Sequence, residues 1–244
     1  MKRFLALSVI AALVGFGNAR AEGVDLLLVL AADVSRSIDD GEFELQRKGY
    51  AAAMTDPRVL RAIVGGANHA IAITFVEWAG AGEQSVVIDW TVVRDEEMAA
   101  GVAATMLSAP RSFVGRTSIS GAIDFAMDRL GAAPVSSDKR TIDISGDGTS
   151  NSGRAVTEAR DHAVAQGVTI NGLAIINNQA NPGYAFHTHP PGGLPAYYRE
   201  NVIGGTGSFL IVVEDFKTFA DAMTNKLVSE IVGLPAERRA AALR

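Results

Sequence analysis

Three short segments of this 244-residue chain carry side chains able to meet at one point and do chemistry there. The first is Asp33-Val34-Ser35-Arg36-Ser37, a carboxylate followed by hydroxyls at alternate positions. A loop with that spacing can turn three oxygens toward one place. The second is Gly115-Arg116-Thr117-Ser118 and the third is Gly146-Asp147-Gly148. Together Asp33, Ser35, Ser37, Thr117 and Asp147 supply two carboxylates and three hydroxyls, all hard oxygen donors. Such a set matches Mg²⁺, Mn²⁺ or Ca²⁺, and not zinc or copper. Few of these donors are anionic, so a bound ion would keep waters and an exchangeable position. An acidic side chain of a partner protein can fill that position. Taken singly, the same residues have plainer uses. Ser37 or Asp39 can cap one helix and Thr117 another, and Asp147 can shape a turn. Arg36 can screen the two carboxylates, steer an acidic partner, or stand as a solvated loop charge.

The elements that must position these loops are readable from periodicity. Val24 to Ala32 is a continuous apolar run ending at Asp33, as expected of a strand buried on both faces. Asp39 to Ile63 has helical character with a break at Asp56-Pro57. The alternating segments His69–Trp78 and Ser85–Thr91 form a hairpin across Ala-Gly-Ala-Gly-Glu. Asp95–Ser108, Ser118–Leu130 and Arg154–Gln166 are helices; Lys139–Ser145, Val168–Ile176 and Phe209–Val213 are strands. A last helix, Asp215 to Ile231, turns Phe216, Phe219, Met223 and Leu227 inward. Strands alternating with helices predict an α/β fold with a mainly parallel sheet. In such a sheet ligands sit beyond the C-terminal strand ends, where the Asp33 and Asp147 loops begin. The stretch from Asn177 to Ser208, rich in Pro, Gly and Asn, reads as one long irregular loop starting at the same sheet edge.

That loop holds the other residues of interest. Tyr184, Phe186, His187, His189, Tyr197 and Tyr198, with Arg36, are candidates for contact with a partner. The alternate pair His187 and His189 could chelate a transition metal, though no third ligand stands nearby in sequence. The loop is either a recognition surface or a lid over apolar core. Asp143 lies inside the Ile-Asp-Ile-Ser strand and needs a buried partner that the sequence does not name. Enzyme signatures are missing: there is no Gly-x-Ser-x-Gly, His-Glu-x-x-His or Gly-x-x-x-x-Gly-Lys, and no Gly-x-Gly-x-x-Gly after the first strand.

Composition narrows the field further. The chain has 22 basic against 27 acidic residues, net −5, which disfavours nucleic-acid binding. Lacking Cys, it has no disulfides and no thiolate chemistry. Lys2-Arg3, the apolar run Phe4–Phe16 and Ala19-Arg20-Ala21 read as a secretory signal over residues 1–21, too short to span a bilayer. Cleavage after Ala21 removes Lys2, Arg3 and Arg20 and leaves 19 basic against 27 acidic residues, net −8. The expected product is a periplasmic or secreted domain over 22–234 with a short tail over 235–244.

The three loops together resemble the metal-ion-dependent adhesion site of von Willebrand factor A domains. Asp-Val-Ser-Arg-Ser is similar to that family's Asp-x-Ser-x-Ser start. Gly115-Arg116-Thr117 resembles its threonine loop, and Gly146-Asp147-Gly148 its aspartate loop. The resemblance covers Val24 to Ile231. Ile-Asp-Ile-Ser-Gly-Asp-Gly-Thr-Ser-Asn-Ser-Gly and Tyr-Tyr-Arg-Glu-Asn-Val-Ile-Gly-Gly are similar to an uncharacterised exported bacterial branch of the superfamily. Gly146 departs from the wider pattern, which often has Thr there, and so removes one hydroxyl. The resemblance implies a Rossmann-like three-layer domain, its mainly parallel central sheet ending in one antiparallel edge strand. It also implies a Mg²⁺ (or Mn²⁺ or Ca²⁺) ion on Asp33, Ser35, Ser37, Thr117 and Asp147. The implied function is binding of a protein that offers an Asp or Glu to the ion, and not catalysis. A metal-dependent hydrolase and a metal-free interaction domain are the competing readings.

Overall fold

Alternate residues of one central strand are buried in two different cores, and the rest of the fold follows from that. The computed structural model describes residues 23–176, 185–214 and 216–233; the proposed signal, Tyr184 and the 235–244 tail lie outside them. Strand β1 (Leu27–Asp33) is buried throughout. Leu28 and Leu30 face one core, while Leu27, Val29 and Ala31 face the other. Around β1 the sheet adds β2 (Ile71–Trp78), β3 (Gln84–Val93), β4 (Arg140–Gly146), β5 (Thr169–Ile175) and β6 (Leu210–Val213) in the order β3-β2-β1-β4-β5-β6. All neighbours are parallel except β2 and β3, which form the antiparallel edge pair.

Helices cover both faces. On one lie α1 (Asp40–Thr55), α2 (Pro57–Val64), α3 (Glu96–Ser108) and the last helix, α8 (Phe219–Val232). On the other lie α4 (Ile119–Gly131) and α5 (Val156–Ala165). Local chemistry sets their starts. Asp39 and Glu42 make a reciprocal capping box on α1, and Asp56 caps α2 with Pro57 in its first turn. Among the described residues no helix is long and apolar enough to cross a membrane.

The segment read as one irregular loop is helical in its described part. It contains α6 (Ala185–Thr188), α7 (Leu194–Tyr197) and a π turn over Tyr198–Val202. Leu194, Tyr198 and Val202 are all buried, a four-residue spacing that lays one helical face on the sheet. Gly192, Gly193 and Pro195 sit at the start of these turns, so the local composition hides the period.

Two ionic clusters lie within the core. Arg47 of α1 holds Glu77 of β2 through Nε at 2.9 Å and Nη2 at 2.5 Å, and the Ser112 N–H reaches the other Glu77 oxygen at 2.8 Å. Asp143, on β4 beside Asn171 of β5, meets Lys226 Nζ of α8 at 2.7 Å. Lys226 also meets Glu230 Oε1 at 2.5 Å, and the Asn171 amide donates to the same oxygen at 2.8 Å. Lys226 is therefore the buried partner that Asp143 requires.

Burial, set against the Lys226 ammonium, pushes the Asp143 carboxyl up to about 7. Burial alone would lower Lys226, but the facing Asp143 and Glu230 carboxyls raise it. The unfolded chain releases the Asp143 proton near pH ~4, whereas the folded chain holds it to about 7. This group therefore removes stability as pH rises through that window, and the loss is complete above it. Asp143→Asn should flatten the decline between those two values when unfolding by urea is followed across pH. An unchanged slope would refute the assignment.

Candidate metal centre

The strand order reverses direction of growth at β1, with β2 on one side and β4 on the other, and a crevice opens at their C-terminal ends. The three loops converge there. Asp33 Oδ1 accepts the Ser35 N–H at 2.7 Å, which bends the chain as it leaves β1. Arg111 Nη2 then donates to the carbonyls of Val34, Ser35 and Ile38 at 2.9, 2.9 and 2.8 Å, fixing the loop from behind. The Arg36 N–H donates to Gly115 O at 3.0 Å, tying the first loop to the second. Asn151 ties the second to the third. Its N–H donates to Thr117 O at 2.8 Å, and its Oδ1 accepts the Thr117 N–H at 2.9 Å.

These ties bring four of the five predicted oxygen donors into one chain of side chains, and Asp33 joins it through the Ser35 N–H. Ser37 Oγ donates to Asp147 Oδ1 at 2.6 Å and lies 3.3 Å from Ser35 Oγ; Thr117 Oγ1 donates to Ser35 Oγ at 3.1 Å. Asp39 and Ser118 cap the adjacent helices, so neither Ser37 nor Thr117 is needed for capping. Asp33, Ser35, Thr117 and Asp147 are buried. Asp33 Oδ2, Asp147 Oδ2 and the Tyr198 hydroxyl are buried too, without a hydrogen-bond partner among the described residues. Burial and then the charge of Asp147 raise the Asp33 carboxyl well above its usual range. Burial pushes Asp147 up to about 6. Two adjacent buried carboxyls with unsatisfied oxygens are what a cation or its waters would satisfy. Among the described residues no three His, Asp or Glu side chains cluster as a ligand set, so any ion here rests largely on hydroxyls.

The other candidates separate. His187 of α6 faces the centre: its Nε2 is 3.0 Å from Thr117 Oγ1 and its Nδ1 is 3.2 Å from Thr149 Oγ1. A Cβ on Gly148 would fall 2.2 Å from this ring, so only glycine admits it. Burial lowers the imidazole from its ordinary value. His189 is exposed, so the two rings do not form a chelating pair. Phe186 is 94% exposed. Tyr197 is half-buried, its hydroxyl accepting the Ser150 N–H at 3.2 Å. Tyr198 corrects the expectation of a contact residue: it is fully buried, because the four-residue spacing with Leu194 and Val202 turns it inward.

Tyr198 also accounts for Gly146. A Cβ there would lie 2.8 Å from the Tyr198 hydroxyl and 2.9 Å from Asp33 Oδ2. The hydroxyl missing from residue 146 is thus replaced by one arriving from the Leu194–Val202 segment. Gly146→Thr should destabilise the fold by about 1–3 kcal/mol through overpacking. Adding Tyr198→Phe, which removes the colliding oxygen, should recover part of that loss in thermal unfolding.

Outside the buried centre lies a cleft of about 340 Å³ lined by Arg36, Ser37, Gly115, Arg116, Thr117, Asn151 and His187. Arg36 and Arg116 are exposed at its rim, so a net acidic chain presents a positive mouth at this point. Arg111, Thr149 and Asn151 were not legible as site residues, and Tyr198 was legible only as a partner contact. Only Asn151 carries a local signal, standing four positions after Asp147.

A family model described as "Protein of unknown function (DUF1194)" matches residues 23–235. No curated protein matches the chain. Several solved structures do. The chain is similar to a von Willebrand factor type A protein from Catenulispora acidiphila, at 14% identity and TM-score 0.59, covering 85% of this chain and 43% of that one. It is similar to proximal thread matrix protein 1 from the mussel byssus with a zinc-occupied MIDAS motif, at 14% and 0.59, covering 88% and 50%. The pilus adhesin SpaC from Lactobacillus rhamnosus GG in its open conformation matches at 12% and 0.61, covering 88% and 31%. The chain spans half or less of each of these proteins. At such identities the likeness carries the fold, which is of the von Willebrand A type.

Proposed function

The chain belongs to the DUF1194 family of proteins of unknown function, and from that membership and its von Willebrand A-type fold we propose that it is an exported recognition domain that binds a protein through a divalent cation. The observation that carries this reading is the pair of buried carboxyls, Asp33 and Asp147, with unsatisfied oxygens at the foot of an arginine-rimmed cleft. Asp33, Ser35, Ser37, Thr117 and Asp147 would hold an ion of the Mg²⁺, Mn²⁺ or Ca²⁺ class. The ion would supply a Lewis-acidic contact for an Asp or Glu of the partner. Arg36 and Arg116 favour an approaching carboxylate on electrostatic grounds. The zinc-occupied MIDAS motif of the mussel protein and the adhesin function of SpaC are in keeping with this reading.

Residues 1–21 are proposed as the export signal, 22–234 as the domain and 235–244 as its tail. Two measurements on material from the native host test the proposal. Mass spectrometry should find the mature N-terminus at Glu22. A pull-down should capture a partner that is lost with EDTA and with Asp33→Ala. Capture that ignores both treatments would overturn the metal-mediated mode.

One contact favours a hydrolytic reading, that of His187 Nε2 with the Thr117 hydroxyl at 3.0 Å. A base needs a third group to orient it and stabilise its charge. Here Nδ1 faces only the neutral Thr149 hydroxyl, so recognition remains the better-supported function.

A further inference from the structure

The charges around the proposed ion leave two arginines without a counter-charge. Asp33 and Asp147, ionised around a divalent cation, balance it, so the occupied centre is itself neutral. Glu42 acts on Asp147 and Arg111 on Asp33, one negative and one positive, and these offset each other. What remains is Arg36 and Arg116, both exposed on the cleft outside. Among the described residues neither guanidinium meets a carboxylate, whereas Arg47, Arg58, Arg129 and Arg154 all do. In a chain with 27 acidic against 22 basic residues, an unpaired cationic pair points to a negatively charged ligand.

The pair is positioned as well as exposed. The Arg36 N–H donates to Gly115 O at 3.0 Å, which sets the two arginine-bearing loops side by side. Arg116 Nη2 donates to Asn151 O at 2.7 Å, so its guanidinium is anchored to the cleft wall. A cleft of about 340 Å³ is roughly 7 Å across, a distance that about two residues of extended chain cover. In such a segment residues i and i+2 point to the same side. Apolar groups adjoin the cleft. Phe186, at 94%, and Val114, at 62%, are the most exposed large apolar side chains among the described residues. Each directly precedes a cleft residue, His187 and Gly115 respectively. Exposed apolar area next to charge suits a polypeptide ligand.

We propose that the partner is recognised through an acid-x-acid segment, one carboxylate on the ion and the second shared by Arg36 and Arg116, with an apolar neighbour over Phe186 and Val114. This rests on the reading of Asp33, Ser35, Ser37, Thr117 and Asp147 as a site with one position open to a partner's carboxylate. A single carboxylate would leave one unit of positive charge uncompensated in the interface; the second removes it.

The probe is a random peptide library displayed on phage, panned over the immobilised protein in Mg²⁺ and released with EDTA. Sequences recovered on the wild type should be enriched about tenfold or more over the input in acidic residues two positions apart, with an aromatic or aliphatic residue beside them. On Arg36→Gln with Arg116→Gln the second acid should no longer be selected while the first remains, and on Phe186→Ser the apolar preference should go. The paired arginine variant should also bind Mg²⁺ about twofold or more tighter at low salt, because two repelling cations are gone. Weaker Mg²⁺ binding would mean that the arginines only hold the loops, and would overturn the proposal. A lone acid in the wild-type selection, or a second acid still selected by the arginine variant, would overturn it too and leave the metal-mediated reading standing. Recovery that ignores EDTA and is equal on Asp33→Ala would overturn that reading, and this proposal with it.

Discussion

Lys226→Met should lower the unfolding free energy by about 3–5 kcal/mol, the cost of leaving a buried charge without its counter-ion. The ammonium sits between Asp143 at 2.7 Å and Glu230 at 2.5 Å, and all three side chains are fully or almost fully buried. Methionine matches the length of the stem and fills its volume, so the loss measures charge and not packing. Asp143 would then face no cation, and Glu230 would keep only the Asn171 amide. For a domain of this size the melting temperature should drop by about 10 °C. Restoring balance tests the cause. The triple variant Lys226→Met, Asp143→Leu, Glu230→Met removes every charge and should regain most of the loss, since a buried ionic cluster rarely outperforms an apolar one. A triple variant as unstable as the single one would show that the cluster acts through shape.

Asp33→Asn should do the opposite to stability while abolishing ion binding. The substituted amide keeps an oxygen for the Ser35 N–H, so the turn out of β1 survives. What the change removes is a carboxyl that burial, and then the charge of Asp147, hold well above its usual range. In metal-free buffer the variant should gain about 1–3 kcal/mol, as expected where a polar site is assembled for function at the expense of the fold. Calorimetry with Mn²⁺ or Mg²⁺ should show no binding to the same variant. In saturating metal the order of stabilities should therefore reverse, because the ion stabilises only the wild type. A variant that is less stable than wild type in EDTA would refute the electrostatic account.

Much of the architecture could be read from pattern alone, because each element has a local cause. The run Leu26–Ala32 is apolar at every position, which only a doubly covered strand allows, and Asp39, Asp56 and Ser118 mark helix starts by their side chains. The convergence of Asp33, Ser35, Ser37, Thr117 and Asp147 has a different cause: Asp33 ends β1, and the other four lie in the loops that follow a strand or lead into a helix at the same sheet edge. The rest depends on register. Lys226 follows the inward-facing Met223 by three positions and precedes Leu227, but a lysine there reads as solvated until β4 sets Asp143 beneath it. Tyr198 shares a four-residue period with Leu194 and Val202, yet the surrounding glycines and prolines obscure a helical turn. His187 reaches Thr117 across 70 residues of sequence, and only the folded path of the chain brings the two together.

The pairing of β1 with β4 has a consequence for how the chain comes into being. Leu27 lies beside Arg140 and Ala32 beside Ser145, so the centre of the sheet joins residues more than a hundred positions apart. Parallel pairs of such separation close slowly, because the loop entropy is lost before the contacts repay it. During synthesis β1 emerges first and finds β2, but its other edge has no neighbour until residue 146 has been made. Until then a strand of unbroken hydrophobicity, Leu26 to Ala32, lacks half its cover. The nascent chain thus remains open for most of its translation, which suits a polypeptide that must pass a membrane unfolded and calls for a holding chaperone if it does not.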